Sequence, residues 1–215
     1  MEFFDPNDSS TESDVGSLLN DLGQKAELEG LIVELREKLL NLPPETSAVE
    51  KCTIELDIAS AQQQLERGHE AWPTARAAFD VFVKHQEWEK AVQACDVLYL
   101  SDQTDSLVAL GNGIWLAVTF PIDPEITVNI LAHVIDDTPD DSDGAAVAAA
   151  TALFIADTRT DDGPQRDRLH FFASQLLGKV ARRHSEVENQ AQFDFWTEKL
   201  ELNDPDKFLV RLRNV

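Results

Sequence analysis

Glu70-Ala71-Trp72-Pro73-Thr74-Ala75-Arg76-Ala77-Ala78-Phe79-Asp80-Val81-Phe82-Val83-Lys84 is followed, after only His85-Gln86, by Glu87-Trp88-Glu89-Lys90-Ala91-Val92-Gln93-Ala94-Cys95-Asp96-Val97-Leu98-Tyr99-Leu100. In the first run Trp72, Ala75, Ala78, Phe79, Phe82 and Val83 recur at steps of three and four. In the second run Trp88, Ala91, Val92, Cys95, Leu98 and Tyr99 do the same. That period marks one apolar face of an α-helix, twice over. A two-residue connection forces the chain to reverse at once, so the two helices lie antiparallel as a hairpin.

The same grammar extends outward. On the N-terminal side, Leu28, Leu31, Ile32, Leu35, Leu39 and Leu42 predict a helix over 24–42, which Pro43-Pro44 ends. Val49, Cys52, Leu56, Ala59 and Gln63 predict a second helix over 48–67, with Gly68 as its C-terminal cap. On the C-terminal side a helix is expected over 107–118. Asp123-Pro124-Glu125 then places a capping acid, a proline for the first helical position and an acid on the positive helix end. That start leads into Ile126, Ile130, Leu131, Val134 and Ile135. The alanine-rich run 145–157 is apolar nearly all round, which implies a central helix. Further helices are expected over 169–183, 187–200 and 207–214. Strand signals are poor, so the reading is all-α: an antiparallel array of helix hairpins, repeat-like, over residues 23–215.

Residues 1–22 are read as a flexible acidic tail, because they hold Glu2, Asp5, Asp8, Glu12, Asp14 and Asp21 without Lys or Arg. Phe3 and Phe4 stand out there as a candidate docking pair, with folding back onto the protein's own helices as the alternative. The start of the chain lacks the basic flank and apolar run of a signal peptide. No apolar run approaches the ~20 residues of a membrane-spanning helix, so no membrane association is expected. The chain has 215 residues, is 43% hydrophobic and carries a net charge of -22. Such a surface repels phosphate, which argues against direct nucleic-acid binding. Cys52 and Cys95 form no Cys-x-x-Cys, so a reducing, cytoplasmic setting is expected.

Glu70 to Gln103 resembles a tetratricopeptide repeat, a family with the pattern W-x2-L-G-x2-Y, then A-x3-F, then P. Phe82 falls at its tyrosine position, Ala91 at the small residue where the helices cross, and Cys95 at the Phe position. Ala78-Phe79 replaces Leu-Gly, and Gln103 replaces the closing proline. Leu107-x2-Leu110-Gly111-x2-Ile114 looks like the first helix of a further repeat. The resemblance implies a repeat-like helical fold that binds protein or peptide.

Enzymatic signatures are lacking. Gly-x-Ser-x-Gly and the phosphate-cradling Gly-x4-Gly-Lys-Ser/Thr are absent. In the acidic loop 136–144 an EF-hand register on Gly144 puts Pro139 at position 1 and Ala150 at position 12, so the bidentate ligand fails. His85 with Glu89, and His184 with Glu188, share helical spacing but lack a further metal ligand on the same turn. No cofactor or metal is therefore expected, and the chain reads as a non-enzyme.

Charge is uneven: residues 101–163 carry twelve acids against Arg159, whereas residues 164–215 carry nine bases against eight acids. Lys179, Arg182 and Arg183 share one helix face and are candidates for an acidic partner, or for complementing the helix's own negative end. Phe193, Phe195 and Trp196 are candidates for a partner surface, or for the core of the last helices. The expected function is that of an adaptor, assembly factor or dedicated chaperone for a cytoplasmic protein partner. A structural subunit of a homo- or hetero-oligomer, built by self-association, and an acidic nucleic-acid mimic are the alternatives.

Overall fold

The computed structural model describes the backbone of residues 9–213 and the side chains of residues 21–213. Its elements are α1 (Ser9–Leu40), α2 (Ala48–Gln64), α3 (Gly68–Lys84), α4 (Trp88–Leu100), α5 (Ser106–Thr119), α6 (Pro124–Asp137), α7 (Asp143–Thr158), α8 (Pro164–Ser185), α9 (Gln190–Lys199) and α10 (Pro205–Leu212). Among the described residues there is no strand, and consecutive helices from α1 to α9 pack on one another. The fold is an all-α array of helix hairpins.

Helix α1 begins at Ser9, inside the stretch expected as a tail. Val15, Leu18, Leu19 and Leu22 continue the three-and-four spacing upstream of Gln24, which accounts for the earlier start. Phe3 and Phe4 lie outside the described residues.

Hairpin turns repeat one device. At the α2/α3 turn Glu66 adopts a left-handed φ of 61°, and the Arg67 N–H donates to the Gln62 carbonyl at 2.9 Å. At the α3/α4 turn Gln86 has φ 61°, and the Glu87 N–H donates to the Phe82 carbonyl at 2.9 Å. This six-to-one closure is the usual glycine-bearing helix stop, here built without glycine. Gly68 is thus not the cap of α2 that its position suggested. It opens α3, where a Cβ would meet the Ser101 carbonyl oxygen at 2.1 Å. Its role is the close approach of two backbones.

Small residues set the helix spacing. Ala71, Ala75, Ala78, Ala91 and Ala94 are all 0% exposed, so α3 and α4 pack backbone to backbone around Phe82. Gly113 does the same for α5: a Cβ there would lie 2.3 Å from Ile130 Cδ1 and 2.8 Å from Cys95 Cβ. Helix α7 is buried along nearly its whole alanine run and packs on α6, α8 and α10, the central position its composition implies. Helix α2 buries two stripes. Cys52, Leu56 and Ala59 join the main core, whereas Ile54, Ile58 and Ala61 join Ile32 in a smaller core against α1.

The two layers are not spaced alike. Helices α2, α4, α6 and α8 form a row in which each approaches the next. Among the described residues, α3, α5 and α7 make no such approach to one another. In a two-layer stack the layer with the shorter spacing lies on the inside of the bend. The even-numbered helices are therefore the inner row, and the array is concave on their side.

Candidate functional site

The inner row encloses a cavity of about 300 Å³ lined by α2, α4 and α6. Leu56, Val92 and Ile130 form its buried floor. They are the edges of the core stripes, which run out at the inner surface because helix packing leaves a furrow between adjacent cylinders. Asp57, Ser60, Gln93, Asp96 and Asn129 supply its polar walls. Each lies one residue or one turn from a floor residue, so the helical period delivers an apolar base beneath a hydrogen-bonding rim.

Polar pairs hold the inner helices in register. His133 Nε2 on α6 lies 2.7 Å from Asp96 Oδ1 on α4. The His133 ring packs on Tyr99 with centroids 4.6 Å apart, and the Tyr99 hydroxyl donates to Asp137. Burial, then the Asp137 carboxylate, pushes the Tyr99 phenol above its ordinary range, so it stays a protonated donor. Further along, Lys179 Nζ on α8 meets Asp136 Oδ1 at 2.8 Å, and an Arg183 N–H donates to Thr138 Oγ1 at 3.2 Å. Asp57 has a different setting. Burial raises its carboxyl, Lys38 on α1 opposes that shift at a distance, and no hydrogen bond or ion pair reaches it among the described residues.

Lys179 and Arg183 thus clamp α8 to α6, while Arg182 stays exposed beside them. The aromatic trio divides. Phe195 is 68% exposed, whereas Trp196 is 3% exposed and donates its indole N–H to His184 Nδ1 at 3.2 Å. Phe193 is half-buried against Trp196, with centroids 5.9 Å apart. Trp196 and Phe193 therefore serve the packing of α9, and only Phe195 presents a large free surface. The acidic loop is tied down internally: Asp143 accepts from His184 at 3.1 Å and faces Arg211 at 3.4 Å, and the Ser142 hydroxyl caps α7. Because the indole only donates, His184 Nδ1 carries no proton and Nε2 is the donor to Asp143.

Sequence reading missed two surfaces. The groove residues Asp57, Gln93, Asp96 and Asn129 are polar positions beside the apolar stripes of three different helices, and each looks like part of an ordinary solvated face. Only the packing of non-consecutive helices brings them together. The second surface is on the outer side, where α5 has no charged residue at all. Leu107, Val108 and Trp115 are 70%, 63% and 58% exposed there. Between α5 and α10 lies a cavity of about 290 Å³ lined by Ile114, Trp115, Val118, Leu209, Leu212 and Arg213. The absence of charge over fourteen residues was its signal in a chain that is 27% charged.

Cys95 is buried and its thiol is pushed up to about 12, while burial and Glu55 push Cys52 up to about 11. Neither supplies the thiolate that nucleophilic attack needs. Among the described residues no cluster of three or more His, Cys, Asp or Glu is arranged to hold a metal ion. No helix there is long and apolar enough to cross a membrane. Compared with family models, with curated proteins and with solved structures, the chain shows no match.

Proposed function

We propose that this protein is a non-enzymatic binding module that seats a segment of another polypeptide across its inner row, acting as an adaptor, assembly factor or dedicated chaperone. The observation that carries the reading is the close approach of α2, α4, α6 and α8 beside the separation of α3, α5 and α7, which makes the polar-walled furrow concave. Neighbouring helix axes lie about 8–10 Å apart. The span from α2 to α6 is then about 20 Å, the length of about six residues of extended chain at ~3.3 Å each. An apolar floor with polar walls suits such a segment, because side chains contribute burial while the walls satisfy its backbone. The resemblance of Glu70–Gln103 to a tetratricopeptide repeat supports the same reading. The two free, buried cysteines suit a reducing compartment, so the cytoplasm is the proposed location.

The test is capture of a partner from native lysate by the full chain and by two variants. Asn129→Trp fills the groove, and Phe195→Ser alters an exposed aromatic elsewhere. The proposal expects a stoichiometric partner that is lost with the first variant and kept with the second. Equal capture by all three proteins, or none by any, counts against it.

The outer surface favours a second reading, self-association. Trp115 stands at the mouth of an apolar slot on the one helix that bears no charge, where two acidic copies meet with least repulsion. Light scattering of wild type and Trp115→Lys decides this: a particle larger than one chain that collapses in the variant supports it.

A further inference from the structure

We infer that the segment seated in the inner groove presents a lysine or arginine side chain to the cavity that Asp57 and Asp96 both line. The inference rests on the binding reading above and names the chemistry of its occupant. Helices α2, α4 and α6 carry Glu50, Glu55, Asp57, Glu89, Asp96, Glu125, Asp136 and Asp137 against only Lys51 and Lys90. Of those two bases, Lys90 is already held by Glu87 at 3.3 Å. The groove is therefore an anionic furrow, and its lining contains no basic residue.

The two wall carboxylates are prepared differently. Asp96 is oriented by His133, which occupies one oxygen and fixes the plane of the carboxylate. Asp57 stands on the exposed rim of the groove, where no hydrogen bond or ion pair reaches it among the described residues. A cation delivered from outside gives Asp57 the close ion-pair partner that the groove's own helices do not supply. The aliphatic stem of lysine or arginine matches the floor of Leu56, Val92 and Ile130, and its charged head matches the walls. An acidic segment meets like charge at every wall carboxylate, and a purely apolar one covers the Asp57 carboxylate without supplying a partner.

The experiment is selection of displayed random dodecapeptides on the full chain, with counter-selection on Asn129→Trp. Groove-dependent binders enriched in Lys or Arg are expected. Replacing that residue by Gln in a selected peptide weakens binding by about tenfold or more, as does Asp57→Asn or Asp96→Asn. Asp57→Lys shifts the selected sequences toward Glu and Asp. Groove-dependent binders that lack Lys and Arg, or that ignore Asp57→Asn and Asp96→Asn, overturn the inference and leave the groove reading standing. An absence of any groove-dependent binder overturns both. Circular dichroism of each variant confirms that the helices are kept.

Discussion

The guanidinium of Arg159 donates to the carbonyl oxygen of Ala117 at 2.7 Å, and also to that of Val118 at 2.6 Å. One side chain from the end of α7 thereby satisfies the last turn of α5, whose final carbonyls have no partner within their own helix. Arg159 is the single base in residues 101–163, and it is spent on backbone. Burial lowers its pKa, yet arginine remains charged. Arg159→Met is expected to cost about 1–3 kcal/mol, because it strands the Val118 carbonyl and leaves that of Ala117 with only the Thr127 hydroxyl at 3.4 Å. Denaturant unfolding measures this. A midpoint shift within error would show that water replaces the guanidinium at no cost.

Two glycines on α5 have opposite expected behaviour. Gly111 has open space where a Cβ would go, whereas Gly113 faces Ile130 and Cys95. Gly111→Ala is expected to stabilise by about 0.5–1 kcal/mol through helix propensity. Gly113→Ala is expected to destabilise by about 1–3 kcal/mol through overpacking. Thermal unfolding of both variants checks the pair: a stabilised Gly113→Ala would refute the account of Gly113, and a destabilised Gly111→Ala that of Gly111.

The left-handed Gln86 carries an avoidable cost. Gln86→Gly is expected to raise stability by about 0.5–1 kcal/mol, since a non-glycine residue in that region costs ~1–2 kcal/mol and glycine returns part of this as unfolded-state entropy. Hydrogen exchange at the Glu87 amide, which closes the turn, should slow in parallel. A destabilised variant would mean that the glutamine side chain holds the turn.

Alkaline pH should unfold the protein before it ionises the folded thiols. The buried Cys95 thiol sits at about 12, against an ordinary value of 9.0. Its folded pKa lies above its unfolded pKa, so the stability it contributes is complete below pH 9 and falls as pH rises toward 12. Cys52 and Tyr99 shift in the same direction. Cys95→Ala is expected to flatten the decline of melting temperature above pH 9, while creating a small cavity that lowers stability at neutral pH. Thiol-reagent labelling of the native wild type at pH 8 should proceed only as fast as the protein opens.

Much of the architecture is legible before any coordinate is known. Trp72 to Val83 and Trp88 to Tyr99 show their helices because local periodicity reports which face is buried. Asp123, Ser142 and Asp204 cap α6, α7 and α10 in the structure; the acid-proline-acid starts at Asp123 and Asp204 announce two of these helix beginnings. What periodicity does not carry is which helices meet out of order. Ile54, Ile58 and Ala61 form a second stripe on α2 only because α1 covers the side opposite α3. The groove is hidden for the same reason: Asp57 and Asp96 lie 39 residues apart along the chain, and nothing near either announces the other. Trp196 carried both a core and a partner-surface reading, because a hydrogen-bonded partner such as His184 is invisible in the local pattern.

The unequal spacing of the two helical layers gives the molecule a preferred direction of yielding. Squeezing the curve tighter drives α2, α4 and α6 into side chains already in contact. Relaxing it brings α3, α5 and α7 toward each other, where their backbones do not yet approach. Such a jaw is wedged open more readily than it is clamped shut. A segment wider than the furrow would meet less resistance there than one that required it to narrow.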